Sequence, residues 1–313
     1  DERFDGNSPK TFPGANDGGD WKVRNFSDHD WGNIDLTEAT AQSVNTAYAE
    51  LNLEVGPEKT ADVATRLGIG ADKVGSNAAN VLGDATVTPL ELTNAYATIA
   101  AQGMRSTPHI VASVTDSRGN LVYQAPGADK REQEFAPDVM SAATYALSQV
   151  VEKGSGKPAQ AIGRPAAGKT GTSTDNKSAW FAGFTPGLAT VVGLYQSGPN
   201  HEQEQITPFG KWVGDEITGG SWPVEAWTSY MQTAVANLPA GEFPAYTPPK
   251  PQPTETPTET PTETPTEDTQ PEEPVEPEQP ENVTVPGDLQ GRTVDDAKAA
   301  LRALGLKWAV TEE

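Results

Sequence analysis

Gly168-Lys169-Thr170-Gly171-Thr172-Ser173-Thr174-Asp175-Asn176 is the densest chemical constellation in the chain, and it stands immediately before a strand-like run, Ala179 to Phe184. A lysine, two threonines and a glycine at a sheet edge suit a carboxylate, because the ammonium is a point charge and the hydroxyls are directed donors. Gly171, with no Cβ, lets an extended substrate backbone lie against the strand, and the Thr172 N–H is left to face a developing oxyanion. A phosphate-loop reading is set aside because the run enters a strand where that motif opens a helix. Taken alone, a Lys-Thr-Gly triplet is common, and a structural turn is its simplest explanation.

Working outward, Ala179 to Phe184 and Leu188 to Tyr195 flank Thr185-Pro186-Gly187, and Ile110 to Val114 and Asn120 to Tyr123 flank Asp116-Ser117-Arg118-Gly119, two hairpin signals. Trp180 and Phe184, at alternate positions of a strand, are expected in the core. Upstream the period changes. Asp35-Leu36-Thr37-Glu38 caps a helix expected to run through about Leu51, with Leu36, Ala39, Val44 and Ala47 at helical spacing. Thr88 as N-cap, Pro89 at N1 and Glu91 at N3 open a second helix that ends by Gly103, and a third follows Ala136-Pro137-Asp138 to Gly154. Helices first and an antiparallel meander late predict an α+β fold, an antiparallel sheet with flanking helices. Within the first helix, Ser43-Val44-Asn45 is out of place, since mid-helix Ser and Asn compete with the backbone for hydrogen bonds.

Composition narrows the chemistry. The 313 residues hold 44 acidic and 22 basic side chains, a net charge of -22, which repels nucleic acid and anionic membrane. With no cysteine and three scattered histidines, His29, His109 and His201, no zinc-thiolate site, metal cluster or Cys nucleophile is expected, and no cofactor is implied. Chemistry therefore falls to Ser, Thr, Lys, Asp or Glu. The longest uncharged run, Ser178 to Asn200, contains two Pro and four Gly and does not read as a bilayer span. The chain opens on Asp1-Glu2-Arg3-Phe4 with neither Met nor signal peptide, which suggests that sequence upstream is missing.

Residues 1–247 are read as one domain. From Pro248 to Glu281 there are 11 Pro and 10 acidic residues against one Lys, including three Thr-Glu-Thr-Pro repeats. Residues 248–282 are thus expected to be a disordered, extended spacer. Residues 283–313 recover a strand, a helix from Thr293 to Gly305 and the start of another strand, too few residues for an independent core.

Together the motifs say more than each alone. Ser43-x-Asn45 on a helix, then Lys169-Thr170-Gly171-Thr172 some 125 residues later, is the order of the second and third motifs of penicillin-interacting serine acyltransferases. The flanks Asn33 to Asn45, Thr88-Pro89-Leu90-Glu91-Leu92-Thr93-Asn94-Ala95-Tyr96, and Ala179-Trp180-Phe181-Ala182-Gly183-Phe184-Thr185-Pro186 resemble the transpeptidase domain of class A penicillin-binding proteins. Val285 to Leu306 is similar to the first half of a PASTA domain, and that module after a Thr/Glu/Pro spacer is the actinobacterial layout. The resemblance covers about residues 20 to 235 and 283 to 313.

That resemblance implies a D,D-transpeptidase of peptidoglycan cross-linking. A serine in Ser-x-x-Lys attacks the D-Ala-D-Ala peptide of a stem, expels the last D-Ala and passes the acyl group to an amine; β-lactams acylate the same serine. It implies that Ser43 relays a proton, Asn45 bonds the acyl-chain amide, Lys169 holds positive potential toward the terminal carboxylate, Thr170 and Thr172 bond that carboxylate, and the Thr172 N–H is half of the oxyanion hole. No Ser-x-x-Lys occurs here: Ser8-Pro9-Lys10 and Ser155-Gly156-Lys157 are each one residue short. The nucleophile is expected before Asp1, with a membrane anchor and a glycosyltransferase domain further upstream, so that these residues alone are inactive and the whole protein works on the outer face of the cell membrane. PASTA would bind wall muropeptides. Two alternatives stand beside this reading: a non-catalytic muropeptide-binding protein with a degenerate transpeptidase fold, and a hydrolytic carboxypeptidase or β-lactamase. Trp21 and Trp31 flank a long loop whose place relative to a cleft the sequence leaves open.

Overall fold

The structure, a computed structural model, describes residues 2–16, 18–127 and 130–246. These belong to the first of two units, Asp1–Gln252; the second, Pro253–Glu313, lies outside the described residues, and with it the expected spacer and the partial PASTA segment.

The elements follow in order as β1 (Arg3–Asp5), β2 (Lys10–Asn16), β3 (Gly19–Val23), β4 (Asn33–Asp35), α1 (Leu36–Gln42), α2 (Asn45–Val55), α3 (Pro57–Arg66), α4 (Pro89–Ala100), β5 (Met104–Arg105), β6 (Ser113–Thr115), β7 (Leu121–Gln124), β8 (Glu132–Gln133), α5 (Pro137–Glu152), β9 (Ala167–Thr172), β10 (Ser178–Thr185), β11 (Leu188–Ser197), β12 (Gln203–Glu204) and α6 (Trp222–Ala234). Four strands form the main antiparallel sheet in the order β12-β11-β10-β9, and small two-stranded pairings link β1 with β4, β2 with β3, β5 with β8 and β6 with β7. Both hairpins read from the sequence are present, β6–β7 and β10–β11.

Helices cover both faces of the sheet, and period-2 alternation shows why. Phe181 and Phe184, three apart on β10, point to opposite faces. Phe184 is fully buried and meets Tyr96 of α4 edge-on at 6.3 Å, whereas Phe181 meets Trp227 of α6 at 5.2 Å. Phe181, Trp227, Val224, Met231, Val235, Val151, Ala159 and Ala166 make the largest core cluster. At ~1.5–3 kcal/mol for each fully buried large apolar side chain, this layer holds α6 against β10. Trp180 is only half-buried, so of the two aromatics expected in the core Phe184 alone is wholly inside. A second cluster, Phe4, Ile34, Ala39, Val44 and Ala47, seats α1 and α2 on β1 and β4.

Two expectations need correction. The helix read from Asp35 to Leu51 is two helices. Asp35 does cap α1, its carboxylate accepting the Glu38 N–H at 2.8 Å, but Ser43 then turns left-handed at φ 58°, ψ 50°. The Val44 N–H donates to the Ala39 carbonyl at 2.9 Å and the Ser43 N–H to that of Thr40 at 3.3 Å, a Schellman closure with Ala39 and Val44 packed beneath it. Both apolar residues keep their helical spacing across the break, and for that reason periodicity hides it. The Lys-Thr-Gly run, read as preceding a strand, is itself the edge strand β9, with Lys169 opposite Ala182, Thr170 opposite Phe181 and Gly171 opposite Trp180. The α4 reading holds in full: Thr88 accepts from the Glu91 N–H at 3.2 Å and Glu91 reaches back to the Thr88 N–H at 2.8 Å.

Candidate active site

The helix break places Ser43. In the left-handed turn its side chain leaves the α1 surface and meets Lys169, whose Nζ donates to Ser43 Oγ at 2.7 Å across 126 residues of sequence. The same ammonium donates to the Thr170 carbonyl at 2.9 Å, so it lies along the edge of β9. Burial pushes the Lys169 amine down to about 8 from its ordinary 10.5. Among the described residues no carboxylate bonds it, and a partly desolvated cation without an anionic partner there is poised to take one from a ligand.

The α1–β9 approach is fixed by the end of α5. The Ser155 N–H donates to the Ala41 carbonyl at 3.3 Å, and a Cβ on Gly154 would lie 2.0 Å from that oxygen, so only glycine fits the joint. Lys153 reaches Glu38 at 2.5 Å on the outside of the same joint, raising the lysine and holding the carboxyl below its usual range. Along β9, alternation sends Thr170 and Thr172 to the side opposite Lys169. Thr170 Oγ1 lies 2.6 Å from Ser155 Oγ, and Thr172 Oγ1 accepts the Gly219 N–H at 3.1 Å. A Cβ on Gly171 would meet only Trp180 Cβ, at 3.6 Å.

Asn45 opens α2 and is tied down by its amide, Nδ2 donating to the Arg24 carbonyl at 2.9 Å; its Oδ1 carries no bond to the other site residues. The loop it holds is the one carrying Trp31. Asn25, 5% exposed, is the loop's anchor: its Oδ1 accepts from the Thr46 N–H and hydroxyl at 3.1 and 3.2 Å, and its Nδ2 donates to the carbonyls of Gly6 and His29 at 2.8 and 3.0 Å. Asn25, Phe26, Ser27, His29, Trp31, Gln42 and Ser43 line a cleft of about 270 Å³ beside the serine. Trp31 therefore borders the cleft, edge-on to His29 at 4.5 Å, while Trp21 packs away from it on Phe12 at 5.7 Å.

An αL serine that closes one helix, a half-buried lysine on a sheet edge and two threonine hydroxyls make up the candidate site. The model described as "Penicillin binding protein transpeptidase domain" matches residues 3–208. The chain belongs to the penicillin-binding protein transpeptidase family. Among the relatives of this transpeptidase chain, penicillin-binding protein 1A of Mycolicibacterium smegmatis is 31% identical over 247 residues, 72% of this chain and 30% of the relative. Penicillin-binding protein 1A of Aquifex aeolicus is 28% identical over 236 residues, 75% of this chain and 30% of that protein. The solved penicillin-binding protein PonA1 of Mycobacterium tuberculosis superposes with a TM-score of 0.64 at 28% identity, over 79% of this chain and 66% of the other; the same protein has been solved in complex with penicillin V. The chain thus spans about 30% of the length of the curated relatives it matches. The mixed fold with its antiparallel sheet is the penicillin-binding transpeptidase fold.

In this family member, Ser43 and Lys169 meet directly, Thr170, Gly171 and Thr172 lie on the same strand as Lys169, and Asn45 stands two residues from Ser43 beyond the helix break. The letters Gly163 to Thr170 also fit a Gly-x-x-x-x-Gly-Lys-Thr phosphate loop, but Lys169 and Thr170 are in mid-strand and no helix opens at them, the next turn being a short 3-10 one at Thr174–Asn176, so no helix N-terminus cradles a phosphate there. Sequence reasoning missed Asn25, Ser155 and Gly219. Ser155 was visible only as a failed Ser-x-x-Lys. Among the described residues no group of three or more His, Cys, Asp or Glu could hold a metal, and no helix is long and apolar enough to cross a membrane.

Proposed function

We propose that these residues are the carboxylate-anchoring and proton-relay side of a serine D,D-transpeptidase that cross-links peptidoglycan. The observation that carries the reading is the Lys169–Ser43 bond of 2.7 Å, which joins the second and third motifs at one point beside a cleft. In this reading the hydroxyls of Thr170 and Thr172 take the terminal carboxylate of a D-Ala-D-Ala stem, and Lys169, whose side chain leaves the other side of β9, holds positive potential toward it. Asn45 bonds the acyl-chain amide through its side chain, held in place by Arg24. The nucleophile is a serine of a Ser-x-x-Lys pattern, which the 313 residues do not contain. Its oxygen attacks the penultimate D-Ala carbonyl, the tetrahedral oxyanion is met by the Thr172 N–H, and the peptide C–N bond breaks as D-Ala leaves with a proton passed through Ser43. An amine of a second stem then displaces the serine and restores its proton.

The same reading takes residues 1–247 as transpeptidase, 248–282 as a spacer and 283–313 as part of a wall-binding PASTA module of actinobacterial type, with the whole protein at the outer face of the cell membrane. β-Lactams, which carry a carboxylate next to a reactive amide, occupy the same anchor. The test is turnover by the native protein from its source cells: D-Ala release from a pentapeptide stem, and its coupling to an added amine acceptor. Coupled product supports transpeptidation. D-Ala release with water as the sole acceptor would indicate a carboxypeptidase, and binding of stem peptide with no release would indicate the muropeptide-binding alternative, which rests on the absent Ser-x-x-Lys.

A further inference from the structure

We infer that Ser155 is a positioning residue that, together with the Gly219 N–H, sets both threonine hydroxyls of β9 as donors to the incoming carboxylate; this deepens, and rests on, the anchor reading above. A carboxylate is acceptor-only, so each hydroxyl that binds it must donate its single proton. A free threonine hydroxyl rotates, and it can spend that proton on another acceptor. At Thr172 the sense is fixed by chemistry: the partner at 3.1 Å is a backbone N–H, which can only donate, so Thr172 Oγ1 accepts and its proton stays available. At Thr170 the partner is Ser155 Oγ at 2.6 Å, where either oxygen can donate. Ser155 donating leaves the Thr170 proton for the ligand; the reverse spends it. A bound carboxylate selects the first, and Ser155 provides the donor that makes it possible.

The surroundings show that both supports are built in. Ser155 is pinned through its own N–H to Ala41 of α1, the helix that presents Ser43. The segment carrying Gly219 is laid against the strand: a Cβ there would lie 2.4 Å from the Trp180 carbonyl oxygen and 2.7 and 2.8 Å from the O and N of Gly171. Its turn is closed by Ser221, whose Oγ donates to the Thr218 carbonyl at 2.7 Å and accepts the Thr218 N–H at 2.9 Å. A Cβ on Gly220 would stand 3.1 Å from the Ser155 carbonyl oxygen, so the two supports are neighbours behind the same strand. Neither hydrogen-bonds Lys169.

The test uses the 313-residue chain and two probes, N-acetyl-D-Ala-D-Ala and its C-terminal amide, titrated by NMR into wild type, S155A, S155T, S155C and K169A. The acid-over-amide affinity ratio reads the anchor alone. Releasing the Thr170 hydroxyl from its orienting partner costs at most the charge-assisted bond that hydroxyl makes to the ligand, about tenfold. The expected result is a ratio about tenfold lower in S155A, retained in S155T and lowered in S155C, whose thiol is a weak donor and which carries the test should S155A fail to fold. If S155A and S155C keep the wild-type ratio within twofold while K169A loses it, the inference about Ser155 is wrong and the anchor stands. Should wild type and K169A show the same ratio, the anchor reading itself falls, and this inference with it.

Discussion

Replacing Lys169 by alanine separates function from folding more sharply than any other change. The substitution removes the ammonium that bonds Ser43 Oγ at 2.7 Å and the one cation on the β9 edge that this account aims at the ligand carboxylate. A hydrogen bond to a charged group is worth ~1.5–3 kcal/mol, and tenfold in rate corresponds to ~1.36 kcal/mol, so losing it slows acylation by about 10- to 150-fold. Stability moves differently. Burial lowers the amine to about 8 from 10.5, so near neutral pH the fold holds this charge at a cost, and its removal is expected to leave the fold no less stable. Between pH 8 and 10.5 the unfolded wild-type chain binds more protons than the folded one, so its stability rises with pH through that window; K169A lacks this rise. The assay pairs the second-order rate of labelling by a fluorescent penicillin, in the native polypeptide, with chemical denaturation. Equal labelling rates in wild type and K169A, or a loss of stability large enough to account for the lost labelling, refutes the role given to Lys169.

Binding of a carboxylate ligand to the wild-type chain should weaken by up to tenfold per pH unit above about pH 8, where the free amine loses its proton, and K169A should show a flat profile; calorimetric titration across pH 6–10 checks both. Gly154→Ala puts a methyl 2.0 Å from the Ala41 carbonyl oxygen, so the α1–α5 joint must open; a loss of ~1–3 kcal/mol in denaturation, with slower penicillin labelling, is expected, and unchanged values for both would show that Ser43 is placed by other contacts. Thr88→Ala removes the capping box of α4 at about 1 kcal/mol by denaturation. The Lys73 hydrogen bond holds Glu91 down to about 2 from 4.5, so its contribution is present above pH 4.5 and is lost as pH falls through 2; Glu91→Gln should flatten that part of the acid limb.

Where local chemistry determines structure, the sequence was sufficient. Thr88, Pro89 and Glu91 specify a helix start by satisfying its first N–H groups, and that start is present atom for atom. The β10–β11 hairpin was likewise legible from its turn and its strand-forming residues. The helix break at Ser43 was not, because Ala39 and Val44 stay on the buried side through a Schellman closure and the apolar period continues unbroken. Most Schellman closures place glycine at the left-handed position, and here a serine takes it. The sequence flagged Ser43 and Asn45 as poor helix residues without showing that they separate two helices. The candidate site was legible as two motifs, Ser-x-Asn and Lys-Thr-Gly, and the fold brings Ser43 and Lys169 of those motifs into one hydrogen bond. The supports behind them were not: Asn25, Ser155 and Gly219 act through hydrogen bonds and close backbone approaches that exist only once distant segments are folded together.

The central claim is that Ser43, Lys169 and the threonines of β9 serve a serine that forms an acyl-enzyme. The most direct measurement is labelling of the native protein, from its source cells, with a fluorescent penicillin, followed by mass spectrometry to locate the adduct. The account expects an adduct on a serine followed three residues later by a lysine, in the same polypeptide as Lys169. No adduct, with peptides covering residues 2–246 plainly recovered, would contradict it.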